Sequence, residues 1–360
     1  MKSFFKYLTV AGLLGTVVIP VASARAQVTE VFFVGGNATV KLIQDRWAAK
    51  FGGTLTKNAA NTIFRYTGAA VPGVAGTVTA DFNLTGGAVA VVDLRDHNNV
   101  AEIDGTTTIP VAAISITAPE TIGVSSSVFT KVQTLVSPVV FIKSTTTPND
   151  LAGITNITQR NASYVESSGG TLPTGYFGGS NNDPNTSALY FVGRNTLSAV
   201  RQVIDANIYF SGAAINYTTN SSGAPIPYVF TDGVTPWGAY SGTEVKQILT
   251  NINNSIGTVS AGDAIGQPQL SYEGVPFSTG NVINGQYPLW GIEQYLYWPS
   301  GTFAPTTAQK TVITALINAI KDTTWEHDAT GAFVKNGYVS LTDLQVTRTG
   351  DGGPITSILY

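Results

Sequence analysis

The chain has 360 residues, a net charge of −3 and only 11% charged side chains, against a usual share of about 25%. That balance offers no basic field to nucleic acid or to an anionic membrane, and 43% hydrophobic residues exclude wholesale disorder. Cysteine is absent and the one methionine is Met1, so disulfides and cysteine-ligated metal are excluded.

Lys2 and Lys6 precede an uncharged apolar stretch, Leu8 to Ile19, that Pro20 breaks. Ala24-Arg25-Ala26 then sets small residues where a signal peptidase cuts. Residues 1–26 read as a secretory leader, with an apolar part shorter than the roughly 20 residues a membrane anchor needs. No cysteine ends the leader, which excludes a lipid-anchored precursor, and no later segment is long and apolar enough to span. The expectation is an exported protein, periplasmic or secreted and not embedded in a membrane.

Val28 to Val34 is a short run rich in β-branched and aromatic residues and predicts a buried strand. Gly35-Gly36-Asn37 predicts a turn. Val40, Ile43, Trp47 and Phe51 then fall near one helical face, and Gly52 marks the stop. Strand, glycine turn and helix open an α/β unit, which binds ligands where strands end and helices begin. Residues 54–90 carry short alternating segments. Ala88 to Val92 is a compact apolar run, read as a strand ending at Asp93, and residues 104–135 read as strand and loop. Pro138 to Ile142 predicts another strand, and residues 166–187 a long surface loop. Ala188 to Val192 predicts a strand that Gly193-Arg194-Asn195 links to a helix carrying Leu197, Val200, Ile204 and Ile208 on one face. Further helices are expected over 243–256, from Gln286 to about Trp298, and over 306–321. Strands alternating with helices favour α/β over an all-β sandwich. The aromatics Trp237, Tyr240, Trp290, Tyr295, Tyr297 and Trp298 are expected to serve packing.

Catalytic signatures are missing. The two histidines, His97 and His327, are far apart in sequence, and no nucleophile elbow, Ser-x-x-Lys pair, zincin helix or phosphate-binding Walker loop occurs. Neither an enzyme nor a cofactor or metal site is expected. The glycine turns before helices are better candidates, because a helix start offers unpaired N–H groups and a partial positive charge to an anion. One turn is Gly35 to Thr39. The other, Gly193 to Ser198, adds Arg194, whose guanidinium suits an oxyanion.

In their order along the chain, several segments resemble the phosphate-type substrate-binding proteins of bacterial ABC transporters. These are Val34-Gly35-Gly36-Asn37-Ala38-Thr39, Leu151 through Gln159, Gly193 through Arg201, and Gly285-Gln286-Tyr287-Pro288-Leu289. The resemblance implies an α/β, two-lobed periplasmic-binding-protein-like (type II) fold with two crossover strands. Lobe 1 would comprise residues 27–135 plus 276–360, and lobe 2 residues 136–275. It further implies a monomer that captures phosphate or a related oxyanion for an ABC-transporter membrane component. By the same resemblance Ala38, Thr39 and Val40 would meet the anion from one lobe and Arg194, Ser198, Ala199 and Val200 from the other. Thr67 would supply a further hydroxyl, and Asp93 would accept a hydrogen bond from protonated phosphate. The chain departs from the family's Ser-Gly-Thr at Ser198-Ala199-Val200. Losing one hydrogen bond to a charged group, roughly 1.5–3 kcal/mol, weakens binding by about 10- to 150-fold. That departure leaves open an alternative of the same fold, an envelope or secreted protein used for surface interaction or sensing with oxyanion binding lost. A β-rich adhesin would fit the composition but not the helical stripes.

Overall fold

A computed structural model describes residues 27–146, 148–168, 171–211, 216–227, 238–322, 324 and 337–358. The leader expected at 1–26, Trp237 and His327 lie outside the described residues.

The frame is one ten-stranded mixed sheet. Its strands are β1 (Val28–Gly35), β2 (Thr54–Lys57), β3 (Ile63–Ala69), β4 (Thr77–Asn83), β5 (Ala112–Ser115), β6 (Thr130–Lys143), β7 (Tyr190–Val192), β8 (Ser255–Ser260), β9 (Trp290–Tyr297) and β10 (Val339–Ser340). Across the sheet they run β7-β8-β6-β9-β5-β1-β4-β3-β2, with β10 also on β6. The helices are α1 (Val40–Phe51), α2 (Gly87–Asp96), α3 (Gln159–Ser168), α4 (Pro184–Ser187), α5 (Ala199–Asn207), α6 (Gly242–Leu249), α7 (Thr279–Ile283) and α8 (Thr307–Lys321).

Strand β1 is parallel to both β4 and β5, and it is covered on both faces. Alternate side chains point to opposite faces of a strand. Val31 and Phe33 therefore join the core under α1 and α8, with Ile43, Trp47, Val312 and Leu316. Phe32 and Val34 join Ala90, Val91 and Leu94 of α2 on the other side. Double burial explains why the strand reads as a continuous apolar run. Helix α8 starts from a reciprocal cap in which Thr306 accepts from the Gln309 backbone and Gln309 accepts from Thr306, worth about 1 kcal/mol.

Two long strands carry the sheet from one half to the other. Strand β6 has 14 residues. Up to Pro138 it pairs antiparallel with β9, and from Val139 it pairs with β8 on its opposite edge. Around β7, β8 and the second half of β6, helices α3, α5 and α6 build a separate core that includes Val140, Phe191, Val203 and Val245.

Four expectations need correction. Ala88 to Val92 belongs to helix α2, because the buried positions Gly87, Ala90, Val91 and Leu94 follow a spacing of three and four. A five-residue apolar run alone does not separate strand from helix. The segment expected to be helical after Gln286 is strand β9. Its Trp, Ile, Tyr and Leu suit a pleated surface, Pro288 and Pro299 bracket it, and it runs between β5 and β6. The helix expected over 243–256 ends at Leu249, and Ile256 lies in β8. In the segment expected as a surface loop, α3 extends to Ser168, and Thr174 and Ser187 share a buried hydrogen bond of 2.6 Å.

Among the described residues, no helix is long and apolar enough to cross a membrane.

Candidate functional site

Parallel pairing puts the carboxyl ends of β4, β1 and β5 at one edge of the sheet. Gly35 lies in register with Ile114, and Val34 with Asn83. The chain leaves β1 through Gly36 into a short 3-10 turn, Asn37–Thr39, and then α1. It leaves β4 through Gly86 into α2. From the other half, β7 delivers Gly193 and Arg194, and Ser198 precedes α5. Three helix starts thus converge, and none of them has a side-chain cap.

Their approach is close enough to require glycine. A Cβ on Gly87 would stand 2.8 Å from the Ala199 Cβ and 3.4 Å from the Gly36 Cα. The Ala88 N–H donates to the Leu197 carbonyl at 3.1 Å, joining α2 to the turn before α5. Thr117 Oγ1 donates to the Ala199 carbonyl at 3.0 Å. Between these turns lies a cavity of about 10 Å³ lined by Gly36, Asn37, Ala38, Thr39, Gly86, Gly87, Ile116, Arg194, Ser198, Ala199 and Val200. Such a volume admits about one water.

Arg194 is the unusual wall of this cavity, a guanidinium only 2% exposed. Its Nε donates to the Ala239 carbonyl at 3.2 Å. Its Nη2 donates to the Tyr240 carbonyl at 2.7 Å and to Asn37 Oδ1 at 3.1 Å. Nη1 is buried and has no hydrogen-bond partner among the described residues. Burial pulls the Arg194 pKa down to about 10, against the opposing pull of Asp263 and Glu244, so the group is still cationic at neutral pH. A buried charge is normally paired directly, and no carboxylate lies within ion-pair distance of Arg194 among the described residues. Arg201 steadies the loop by donating to the Arg194 carbonyl at 3.3 Å and to Asp205 at 3.1 Å. Behind it, burial first and Asp205 second hold the Glu166 carboxyl well above its ordinary range.

Six of the nine residues named from the sequence meet here: Ala38, Thr39, Arg194, Ser198, Ala199 and Val200. The other three do not. Val40 faces a separate, larger cleft. Thr67 pairs with Thr54 at the sheet margin and lines a groove with Asp81 and Glu102. In β3, Ile63 lies opposite Asn83 and Ala69 opposite Val78, so Thr67 sits toward the amino end of β1, away from the Gly35 turn. Asp93 lies six residues along α2 from Gly87, about 9 Å at 1.5 Å per residue, and accepts from Asn98 at 3.0 Å.

Thr39 differs from its expected role. Its hydroxyl donates to the Gly36 carbonyl at 2.8 Å, and its N–H donates to the same oxygen at 3.2 Å. The Val40 N–H donates to the Asn37 carbonyl. On this turn, only the N–H groups of Asn37 and Ala38 are candidates for an anion. Ser198 is 4% exposed and makes no cap hydrogen bond, so its hydroxyl is uncommitted to its own helix.

The sequence gives no site role to Gly86-Gly87 or Tyr240, and it names Asn37 only as part of the Gly35 to Thr39 turn. The Gly-Gly pair before Ala88 repeats the Gly35-Gly36 signature and was the available clue. Asn37 and Tyr240 meet Arg194 across separations of 157 and 46 residues, which no local pattern reveals. Of the aromatics expected to pack, Trp290 and Tyr295 are fully buried, whereas Tyr240 is exposed.

The larger cleft, about 750 Å³, shares Asn37 and Ala38 with the small cavity. One wall carries Val40, Lys41 and Asn61, and the other carries Tyr240, Ser241, Gly242, Glu244 and Asp263. Tyr338 lines it too and donates to the Ala38 carbonyl at 2.7 Å.

No family model matches the chain, and no curated protein matches it. Among solved structures, the chain is similar to a protein from Clostridium perfringens assigned as a phosphate ABC transporter substrate-binding protein, crystallised with bound phosphate. That match has a TM-score of 0.53 at 13% identity and covers 87% of this chain and 100% of the other. An ABC-type phosphate transport receptor from Vibrio cholerae matches with a TM-score of 0.47 at 12% identity, over 81% of this chain and 94% of that one. The fold is that of the type II periplasmic binding proteins.

Proposed function

We propose that this chain is an exported solute-binding protein that captures phosphate or a related small oxyanion. It would act between two lobes, residues 27–135 plus 276–360 and residues 136–275, and deliver its cargo to an ABC-transporter membrane component. The observation that carries this reading is Arg194. It is a buried cation with one unsatisfied Nη1, set where three uncapped helix starts converge from both halves of the chain. Unpaired helix N–H groups and a guanidinium together suit a tetrahedral oxyanion. The binding residues are then Arg194, Ser198 and the N–H groups of Ala199 and Val200, with those of Asn37 and Ala38 opposite.

A cavity of about 10 Å³ is too small for phosphate, so capture requires the two walls to part and the Asn37 side chain to leave Arg194. Closure around the ligand would then bury it, as expected of hinged two-lobed binders.

Titration calorimetry against inorganic phosphate tests the reading. Binding that falls at least tenfold in Arg194→Ala supports it. Absence of heat and of any thermal shift at millimolar phosphate overturns it. A second reading, surface interaction or sensing without an oxyanion, draws on the filled state of the site, where Asn37 and Tyr240 already occupy Nη2. It predicts that Arg194→Ala leaves the chain's activity intact.

A further inference from the structure

The end of α5 remote from the Arg194 cavity is held by the C-terminal segment, residues 345–358. Val346 and Thr347 pair antiparallel with Ser357 and Thr356, closing a hairpin whose loop carries Arg348, Asp351 and Gly352. The hairpin is moored at Ile283, whose carbonyl accepts from the Gln345 N–H at 2.9 Å. The Arg348 guanidinium sits 3.6 Å over the ring of the fully buried Trp290, and its Nη1 donates to the Pro288 carbonyl at 3.0 Å. The same Nη1 donates to Oδ1 of Asn207, the last residue of α5, at 3.1 Å. Gly352 packs against that helix end, where a Cβ would collide with the Ala206 carbonyl oxygen. In the other direction, Asp351 Oδ2 accepts from the Ala118 N–H at 2.8 Å and from Thr121 Oγ1 at 2.9 Å. One short loop thus grips residues 118–121 of the proposed first lobe and the end of α5 in the proposed second.

Both gripped elements lead to the Arg194 cavity. Helix α5 starts at Ala199, a wall of that cavity, and reaches Asn207 about 12 Å away at 1.5 Å per residue. Ile116, another wall, lies two residues before Ala118, and Thr117 between them donates to the Ala199 carbonyl at 3.0 Å. Val200, Val203 and Ile204 tie α5 into the core of its own half, so it moves with that half as a unit. A movement that parts Ala199 from Ile116 is therefore carried to Asn207 and pulls it against Arg348. Each polar link of the loop exchanges its partner for water when it parts, so the grip can release and re-form. We infer that the C-terminal hairpin is a clasp that holds the two lobes closed and sets how often the cavity opens to a ligand. This inference rests on the two-lobed reading above and adds what restrains the motion.

Pulsed electron-spin distance measurement on the ligand-free protein tests it. Cysteine is absent, so nitroxides attached at Ala59→Cys and Gln247→Cys, exposed positions in the two proposed lobes, report a single distance. Asn207→Ala cuts the grip on α5, and Asp351→Ala cuts the grip on residues 118–121. Each is expected to raise the population at the longer distance by at least about threefold. Asn207→Asp turns the Arg348 link into an ion pair and is expected to lower that population. Cutting the clasp on both sides guards against a local folding defect in either variant. An unaltered distance distribution in either folded alanine variant overturns the clasp, as does a shift of Asn207→Asp in the same direction as Asn207→Ala. These outcomes need no ligand, so they stand apart from calorimetry with inorganic phosphate, whose failure would remove oxyanion capture and leave the clasp.

Discussion

Replacing Arg194 with methionine separates a residue kept for binding from one kept for stability. Methionine preserves the length and most of the volume of the side chain and deletes its charge. Burial lowers the Arg194 pKa from 12.5 to about 10, which at 1.36 kcal/mol per unit penalises the buried cation by about 3 kcal/mol. Against that relief stands the loss of three hydrogen bonds donated by a charged group, roughly 1.5–3 kcal/mol each where the acceptor is left stranded and less where it keeps another partner. Two acceptors keep a second donor after the substitution. The Ala239 carbonyl retains the Asn195 N–H at 3.0 Å, and the Tyr240 carbonyl retains Asn37 Nδ2 at 2.9 Å. The third, Asn37 Oδ1, borders the open cleft and can turn to water. The gains and losses nearly cancel, so Arg194→Met is expected to lie within about 1–2 kcal/mol of the parent. Breaking a structural buried ion pair costs about 3–5 kcal/mol by comparison. Calorimetric melting and urea titration distinguish the two, since about 1 kcal/mol moves the Tm of a domain of 150–250 residues by roughly 2–4 °C. A loss of 3 kcal/mol or more would show Arg194 to be a structural residue and refute the reasoning.

Glu166→Gln tests the buried carboxyl behind the Arg194 loop. Its folded-state pKa is raised, so the proton it holds stabilises the fold below the ordinary carboxylate range, and that contribution is lost as pH rises through the raised value. Glutamine mimics the protonated form, and the Tm advantage of Glu166→Gln should therefore grow from pH 5 to pH 8; a constant difference across that range contradicts the assignment. Asn37→Ala removes the side chain that links Arg194 to Tyr240 at 3.1 and 2.9 Å. If that link must break on capture, at about 1 kcal/mol, phosphate should bind roughly fivefold tighter by calorimetry; a tenfold loss would mean that Asn37 itself holds the ligand. Trp47→Ala empties the centre of the core formed with Phe51, Tyr66 and Phe82. It should cost about 3–5 kcal/mol in urea unfolding, and a loss below 1 kcal/mol would place the core elsewhere.

The opening strand, glycine turn and helix were legible because a short β-branched and aromatic run ends at Gly35-Gly36 and helical spacing of Val40, Ile43, Trp47 and Phe51 follows. Helix α8 was legible too, from its regular stripe of Val312, Ile313, Leu316 and Ile320. Where the pattern was short or apolar on all sides, reading failed. Ala88 to Val92 is too brief to show a period, and β9 lies in mid-sheet, where both faces are buried and alternation vanishes. At the site, the turns and Arg194 could be read because glycine and arginine carry local chemistry. Their occupancy could not. That Thr39 spends its hydroxyl on Gly36, and that Asn37 and Tyr240 occupy Arg194, follows from packing between distant segments. The placing of Thr67 and Asp93 beside the anion extended a family pattern by sequence position alone, and neither residue reaches the convergence of turns.

The most direct test is anomalous diffraction from crystals of residues 27–360, soaked in selenate, a tetrahedral oxyanion. Methionine occurs only at position 1 and cysteine not at all, so the protein adds no sulfur background. The account predicts one selenium peak whose oxygens lie within hydrogen-bonding distance of Arg194 Nη1 and the Ser198 hydroxyl. A peak elsewhere with the Arg194 cavity still closed, or no peak at all, would contradict it.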